Sequence, residues 1–136
     1  MPTVELKNKL KNKNRNANEQ RCRVVCFNID KVNEIKKALP TEKEFGELTN
    51  FYSAISNTTR LKIIFALAKG ELCVCDIANV LELSIPATSH QLKYLFEMKI
   101  LKYRNDGKMV YYTLNSERLI SILKDDVKLI EETFTL

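Results

Sequence analysis

The amino-acid sequence predicts a mainly α-helical protein with a small β-hairpin, folded as a homodimeric winged helix-turn-helix. Three observations lead to this prediction. Only 3 glycines and 3 prolines interrupt the 136 residues, which favours helices. Two short segments with helical periodicity meet at a tight connection before Ser84. Two β-rich runs follow, separated by the hairpin signal Asn105-Asp106-Gly107.

Helices are predicted throughout the first half of the chain. Apolar residues recur at helical spacing over 30–39 and over 43–55. A third helix follows, which Asn57 or Thr58 can cap and which Gly70 ends. Three consecutive helices are therefore predicted before Gly70.

The helix pair consists of a short helix over about 74–81 and a second helix from its N-cap, Ser84, to about Met98. Pro86 fits the first turn of the second helix, because its missing N–H would have no helical partner there. One side of each helix is apolar and is expected to be buried. The side chains predicted to face inward are Ile77, Val80 and Leu81 in the first helix and Thr88, Leu92, Leu95 and Phe96 in the second.

The opposite side of the second helix carries small or hydrogen-bonding residues: Pro86, Ser89, His90 and Lys93. The N-terminal half of such a helix enters the major groove in helix-turn-helix proteins. Ser89 and His90 can form hydrogen bonds with base edges, and Lys93 suits a phosphate. The net charge of +5 also suits a nucleic-acid partner. The alternatives for His90 are an ordinary surface histidine or a metal ligand.

The predicted hairpin tip carries two cations, Arg104 and Lys108, around Gly107. We expect both to contact DNA, in the minor groove or at phosphates. Charged tips are common on exposed hairpins, so a solvated tip is the alternative. Together with the second helix, the tip predicts double-stranded operator DNA as the partner.

The last predicted helix has a repeating apolar side. Ile120, Leu123, Val127, Ile130 and Phe134 follow one another at intervals of three and four residues, as in a coiled-coil seam. We interpret the first four as a homodimer interface, because this apolar helix follows an already complete domain. Packing against the chain's own core is the alternative.

The N-terminal 20 residues differ in composition from the rest. Basic residues and asparagines dominate 1–20 and apolar residues are few, which is typical of a disordered, solvated tail. The folded DNA-binding and metal-sensing domain is predicted over 21–136, with dimerisation helices at both ends. The start lacks the apolar core of a signal peptide and no run of about 18 apolar residues follows, so a cytoplasmic protein without membrane contact is expected.

The 4 cysteines form two pairs, Cys22 with Cys26 and Cys73 with Cys75. In a reducing compartment, clustered cysteines are more often metal ligands or redox groups than disulfides. Four thiols suggest one tetrathiolate site for a soft divalent ion, Cd(II), Pb(II) or Zn(II). Buried apolar cysteines and a reversible dithiol switch are the alternatives.

Three stretches together resemble a known family: ELCVCDIANVL, SIPATSHQLKYL and the hairpin RNDGKMVYYTL. They are similar to the ArsR/SmtB family of metal-responsive bacterial and archaeal repressors, and the CRVVC segment ahead of DKVN narrows the likeness to the cadmium- and lead-sensing CadC group. The resemblance covers about 22–132.

The resemblance implies a winged-helix homodimer that binds a palindromic operator without metal and is released by metal. The thiolate ligands it implies are Cys22, Cys26, Cys73 and Cys75. The base-contacting positions it implies are Ile85, Pro86, Ser89 and His90.

Other functions remain as alternatives. An arsenite- or antimonite-responsive repressor is the nearest, although that subgroup carries a further cysteine where this chain has Ile77 and Ala78. A DNA-binding thiol redox sensor and a DNA-binding protein with structural zinc are the others. An enzyme and an organic cofactor are not expected, since the chain has 1 histidine, no Gly-rich phosphate loop and no evident nucleophile–base pair.

Overall fold

The computed structural model describes residues 28–134 of the chain. The chain divides into two units, which meet in sequence at Leu39 and Pro40. In the first unit, helix α1 covers Ile29–Ala38. The side chain of Asn28 caps it by accepting a hydrogen bond from the backbone N–H of Lys31 at 3.0 Å. None of the helices within 28–134 has the length and apolarity that crossing a membrane requires.

The second unit contains five helices and three strands in its described part. Their order is that of a winged helix-turn-helix, as predicted, with α4 and α5 as the helix pair and β2 and β3 as the wing. The bounds are α2 Glu42–Ile55, α3 Thr58–Leu67, β1 Leu72–Cys73, α4 Val74–Leu81, α5 Ile85–Glu97, β2 Leu101–Asp106, β3 Met109–Leu114 and α6 Arg118–Phe134.

Side-chain caps set where the helices begin. Thr41 and Glu44 form a capping box at the start of α2, and two hydrogen bonds from Thr41 lower the pKa of the Glu44 carboxyl. Asn57, not Thr58, caps α3. Ser84 caps α5, as predicted, by accepting a hydrogen bond from the backbone three residues later.

The sheet has one strand more than the sequence predicts. Strand β1 pairs with β3, which pairs with β2, and all pairs are antiparallel. The hairpin turn also lies later than predicted, because Asn105 and Asp106 still pair with β3. The two residues between the strands are Gly107, which has a positive φ of 59°, and Lys108.

One core joins α3, α4, α5 and the sheet. Its fully buried side chains are Ile63, Ile64, Ile77, Leu92, Leu95, Leu101 and Thr88. The Thr88 hydroxyl donates to the Ser84 carbonyl at 2.9 Å, so this buried polar group is satisfied within α5. The core therefore holds both helices of the pair against α3 and the wing.

Two predictions of inward-facing residues are wrong. Val80 is 63% exposed, because the buried side of α4 is formed by Ile77 and Ala78. Around the helix axis, Val80 lies roughly 60° from Ile77 in the direction away from Ala78, and therefore faces solvent. Phe96 is 40% exposed, because it lies in the last turn of α5, where its ring packs edge-on against Tyr103 instead of entering the core.

Substituting two positions of α4 separates its buried side from its exposed side. Ile77→Ala is expected to lower the free energy of unfolding by about 2–5 kcal/mol, since it leaves a cavity in the core. Val80→Ala on the same helix is expected to change it by about 0.5 kcal/mol or less. Urea denaturation at one fixed protein concentration measures both, and equal losses would contradict the observed orientation of α4.

Candidate DNA-binding surface and cysteine site

The exposed side of α5 carries every residue that the sequence predicts there. Burial of Thr88, Leu92 and Leu95 turns the opposite stripe towards solvent, and all of its members are exposed: Ile85, Pro86, Ser89, His90 and Lys93. The Lys93 ammonium lies 3.9 Å from the Glu97 carboxylate one turn later, with both side chains exposed. The exposed side of α5 therefore presents the hydrogen-bonding groups of Ser89 and His90, followed by the ammonium of Lys93 one turn later.

Arg60 connects α5 to the end of α2. Its guanidinium donates to the carbonyls of Ser53 and Ala54 in the last turn of α2 and, at 3.4 Å, to the side chain of Gln91 in α5. It also lies 4.6 Å from the centre of the Tyr94 ring. This role could not be predicted from the sequence, since the four partners come from two other helices.

In the wing, Arg104 is already paired with a carboxylate. Its Nε and Nη2 donate to the two Glu71 oxygens at 2.8 and 2.6 Å, and its guanidinium lies 4.7 Å from the centre of the Tyr111 ring. These hydrogen bonds lower the pKa of the Glu71 carboxyl. Lys108, in contrast, lies in the hairpin turn and is exposed. The pairing of Glu71 with Arg104 could not be predicted from the sequence either, because the two residues lie 33 positions apart.

The second cysteine pair lies where strand β1 becomes helix α4. Cys73 is the last residue of the strand and the N-cap of the helix, with the extended backbone that its position predicts. Its side chain is buried, and its thiol donates to the Asp76 carboxylate at 3.1 Å. Cys75, in the first turn of α4, is exposed. Both thiols are free.

The residues within 28–134 do not form a metal site by themselves. Among 28–134, no three His, Cys, Asp or Glu side chains lie close enough together to hold a metal ion. The donors present are the two thiols and the Asp76 carboxylate, of which the thiols suit a soft ion. The other predicted ligands, Cys22 and Cys26, and the predicted tail over 1–20 lie outside the described residues.

The apolar side of α6 divides along its length. Leu123 is buried in the protomer's own core, and Ile120 is half-buried against it. Val127 and Ile130 are exposed, and with residues of α2 and α3 they line an open apolar groove of about 340 Å³. The further residues that line it are Tyr52, Ile55, Ser56, Leu61, Phe65, Leu123 and Asp126.

A helix that exposes Ser89, His90 and Lys93 next to a β-hairpin defines this chain as a winged helix-turn-helix DNA-binding protein. Solved structures support the fold. The crystal structure of NolR from Sinorhizobium fredii matches with a TM-score of 0.60 and 32% identity over 67% of this chain and 93% of that one. The AntR antimony-specific transcriptional repressor matches with a TM-score of 0.63 and 27% identity over 88% and 100%.

The sequence comparisons identify the family. Residues 57–103 match the family model described as bacterial regulatory protein, arsR family. A cadmium resistance transcriptional regulatory protein CadC homolog of Staphylococcus aureus is 40% identical over 104 residues, which cover 76% of this chain and 85% of that protein. The chain belongs to the ArsR/SmtB family, and it is a DNA-binding transcriptional regulator rather than an enzyme.

Substitutions on α5 and in the wing are expected to affect DNA binding differently. His90→Ala should weaken binding to a specific operator by about 1–3 kcal/mol and leave binding to random DNA almost unchanged, because a base contact carries sequence information. Lys108→Gln should weaken both and reduce the slope of log affinity against log salt by about 1 for each phosphate that the variant no longer binds. Fluorescence anisotropy at several salt concentrations measures the affinity of both variants for operator and random DNA, with Lys43→Gln as the control for charge alone.

Replacing Arg60 tests its structural role. Arg60→Met is expected to lower the free energy of unfolding by about 1–3 kcal/mol, because the carbonyls at the end of α2 lose a charged donor. Lys62→Met, at an exposed position of the same helix, should change it by about 0.5 kcal/mol or less. Chemical denaturation of both variants makes the comparison, and an Arg60→Met protein as stable as the control would refute this role.

Proposed function

We propose that this protein is a cytoplasmic metal-responsive repressor, which binds a palindromic operator as a metal-free homodimer and leaves it when a soft metal ion binds its cysteines. The observation that carries the proposal is the position of Cys73. This residue ends the strand that pairs with the wing and caps the first helix of the helix pair. A metal ligand at this position is therefore part of both the sheet that contains the wing and the helix pair.

The DNA-binding part of the proposal is supported by the exposed stripe of α5. Ser89 and His90 would contact base edges in the major groove, together with Ile85 and Pro86, whose apolar surfaces suit a thymine methyl group. Lys93 and Lys108 would contact phosphates. Burial of the other side of α5 leaves this stripe exposed, so that it can enter the groove.

A homodimer is supported by the exposed half of α6. Val127 and Ile130 border an apolar groove that continues onto Tyr52 and Phe65, so a second copy could bury what one protomer leaves exposed. Ile120 and Leu123 would support this surface from beneath. A two-fold dimer presents two recognition helices to successive major grooves, which is why a palindromic operator is proposed.

The proposed metal ligands are the thiolates of Cys22, Cys26, Cys73 and Cys75. Four sulfur donors suit Cd(II), Pb(II) or Zn(II), and the name of the Staphylococcus aureus relative favours cadmium. Ligation requires the thiolate, so Cys73 must lose the proton that it donates to Asp76 in a hydrogen bond. The Asp76 carboxylate, in the first turn of α4, would then lose this hydrogen-bond donor.

Such a change at Cys73 can reach the DNA-binding surface by two routes. Cys73 lies opposite Tyr111 of the wing, and α4 packs against α5 through the buried Ile77. A coupling free energy of about 1–3 kcal/mol, equal to a 5- to 150-fold change in affinity, is typical of such regulation.

A repressor that responds to arsenite or antimonite is the second candidate. The likeness to AntR over 88% of this chain favours it, since that protein is described as antimony-specific. Three thiolates would suffice for As(III) or Sb(III), so this candidate would use the same cysteines.

The test is fluorescence anisotropy of the reduced protein on DNA from upstream of its own gene. One equivalent of Cd(II) per monomer is expected to weaken binding about 5- to 150-fold, and a chelator should restore it. Cys73→Ser should keep operator binding but lose the response to Cd(II). Mg(II), which prefers oxygen ligands, serves as the control ion and should have no effect.

Other outcomes would point elsewhere. A response to As(III) or Sb(III) but not to Cd(II) would favour the second candidate. Loss of operator binding in Cys73→Ser without any metal would indicate a structural cysteine. Binding that responds to oxidant and to none of the ions would favour a thiol redox switch.

A further inference from the structure

The guanidinium of Arg104 is engaged on several sides by groups of its own chain. Glu71 takes two of its N–H groups in a bidentate pair, Asp106 lies 3.6 Å away, and the ring of Tyr111 lies against it. The pair is only partly open to water, since the Glu71 side chain is 32% exposed and that of Arg104 51%. Bidentate geometry makes this pair stronger than an ordinary surface ion pair.

The pair joins the wing to the segment that carries the cysteines. In the sheet, Arg104 and Cys73 both lie opposite Tyr111, on either side of it. Residues directly opposite in antiparallel strands share one face of the sheet. Glu71 directly precedes strand β1, which ends at Cys73. These three residues, 71–73, are the cysteine strand, and from it the Glu71 carboxylate reaches the wing arginine.

A DNA phosphate and the Glu71 carboxylate would bind the same donors of Arg104. Both are oxyanions that accept two N–H groups of a guanidinium. As long as Glu71 holds these donors, the hairpin has two other cations for DNA, Lys102 and Lys108. Neither has a comparable bidentate partner among the described residues. Glu71 also adds a negative charge near the face where the wing would meet a phosphate backbone.

We propose that Glu71 competes with DNA phosphate for Arg104, so that the cysteine strand controls how strongly the wing binds DNA. This inference rests on the DNA binding in the proposed function and does not depend on metal release. Arg104 would then contact DNA only when Glu71 releases it, instead of contacting DNA at all times.

A double-mutant cycle tests the competition in metal-free protein. Glu71→Gln should tighten binding to operator DNA about 2- to 10-fold, because each freed guanidinium gains a phosphate. The slope of log affinity against log salt should become steeper by about 1 to 2 for a dimer with two wings. In a protein that carries Arg104→Gln, the same Glu71→Gln change should have no more effect than Glu47→Gln, a control for the charge alone.

Two results would overturn the proposal. Unchanged or weaker DNA binding by Glu71→Gln would mean that Arg104 does not gain a phosphate when it is released. An equal gain with and without Arg104 would mean that Glu71 only repels DNA by its charge. Thermal unfolding of each variant, expected to stay within a few degrees of the wild type, shows that the comparison is between folded proteins.

Addition of Cd(II) to the same proteins separates this proposal from the proposed metal release. If the wild type ignores Cd(II), the metal-sensing function fails while the metal-free cycle still decides the role of Glu71. If the wild type responds, Glu71→Gln should reduce the fold-change that Cd(II) causes, since the wing no longer depends on the cysteine strand.

Discussion

Burial of one side of α5 is the constraint on which the DNA-binding surface depends. Leu92 and Leu95 enter the core, and Thr88 can join them because its hydroxyl is satisfied by the Ser84 carbonyl. A rotation of α5 by one residue, about 100°, would bring Lys93 into the core in place of Leu92. The cost of burying an unpaired charge therefore helps to fix which stripe faces solvent. Arg60 adds a polar connection from α2 to the same helix.

The short strand β1 gives the cysteine segment its place beside the wing. Its two residues pair with Tyr112 and Tyr111 of β3, and the chain then turns directly into α4. Cys73 therefore belongs to the sheet through its backbone and to the helix pair as an N-cap. The Glu71–Arg104 pair adds a side-chain connection between the same two segments. A change at this cysteine has short paths to both DNA-binding elements.

Helix α6 illustrates how one apolar repeat can serve two kinds of packing. Leu119 and Leu123 lie in the core of the protomer, whereas Val127 and Ile130 remain exposed one and two turns later. The first part anchors the helix, and the second part offers an apolar surface next to α2 and α3. Such a surface is a common feature of symmetric dimers, in which each protomer covers the same patch of the other. The spacing of three and four residues continues through both parts and could not separate them.

Local features of this protein could be predicted from its sequence alone: the helix pair, the Ser84 cap, the polar stripe of α5, the β-hairpin and the cysteine motif at the start of α4. These follow from periodicity, capping and turn chemistry, which act over a few residues. The pairing of β1 emerged only in the folded chain, because a strand of two residues has no recognisable period. The same is true of the meeting of Arg104 with Glu71, 33 positions away, and of the exposure of Val80 and Phe96. Partners and burial depend on which elements pack together, whereas a local pattern specifies only the element itself.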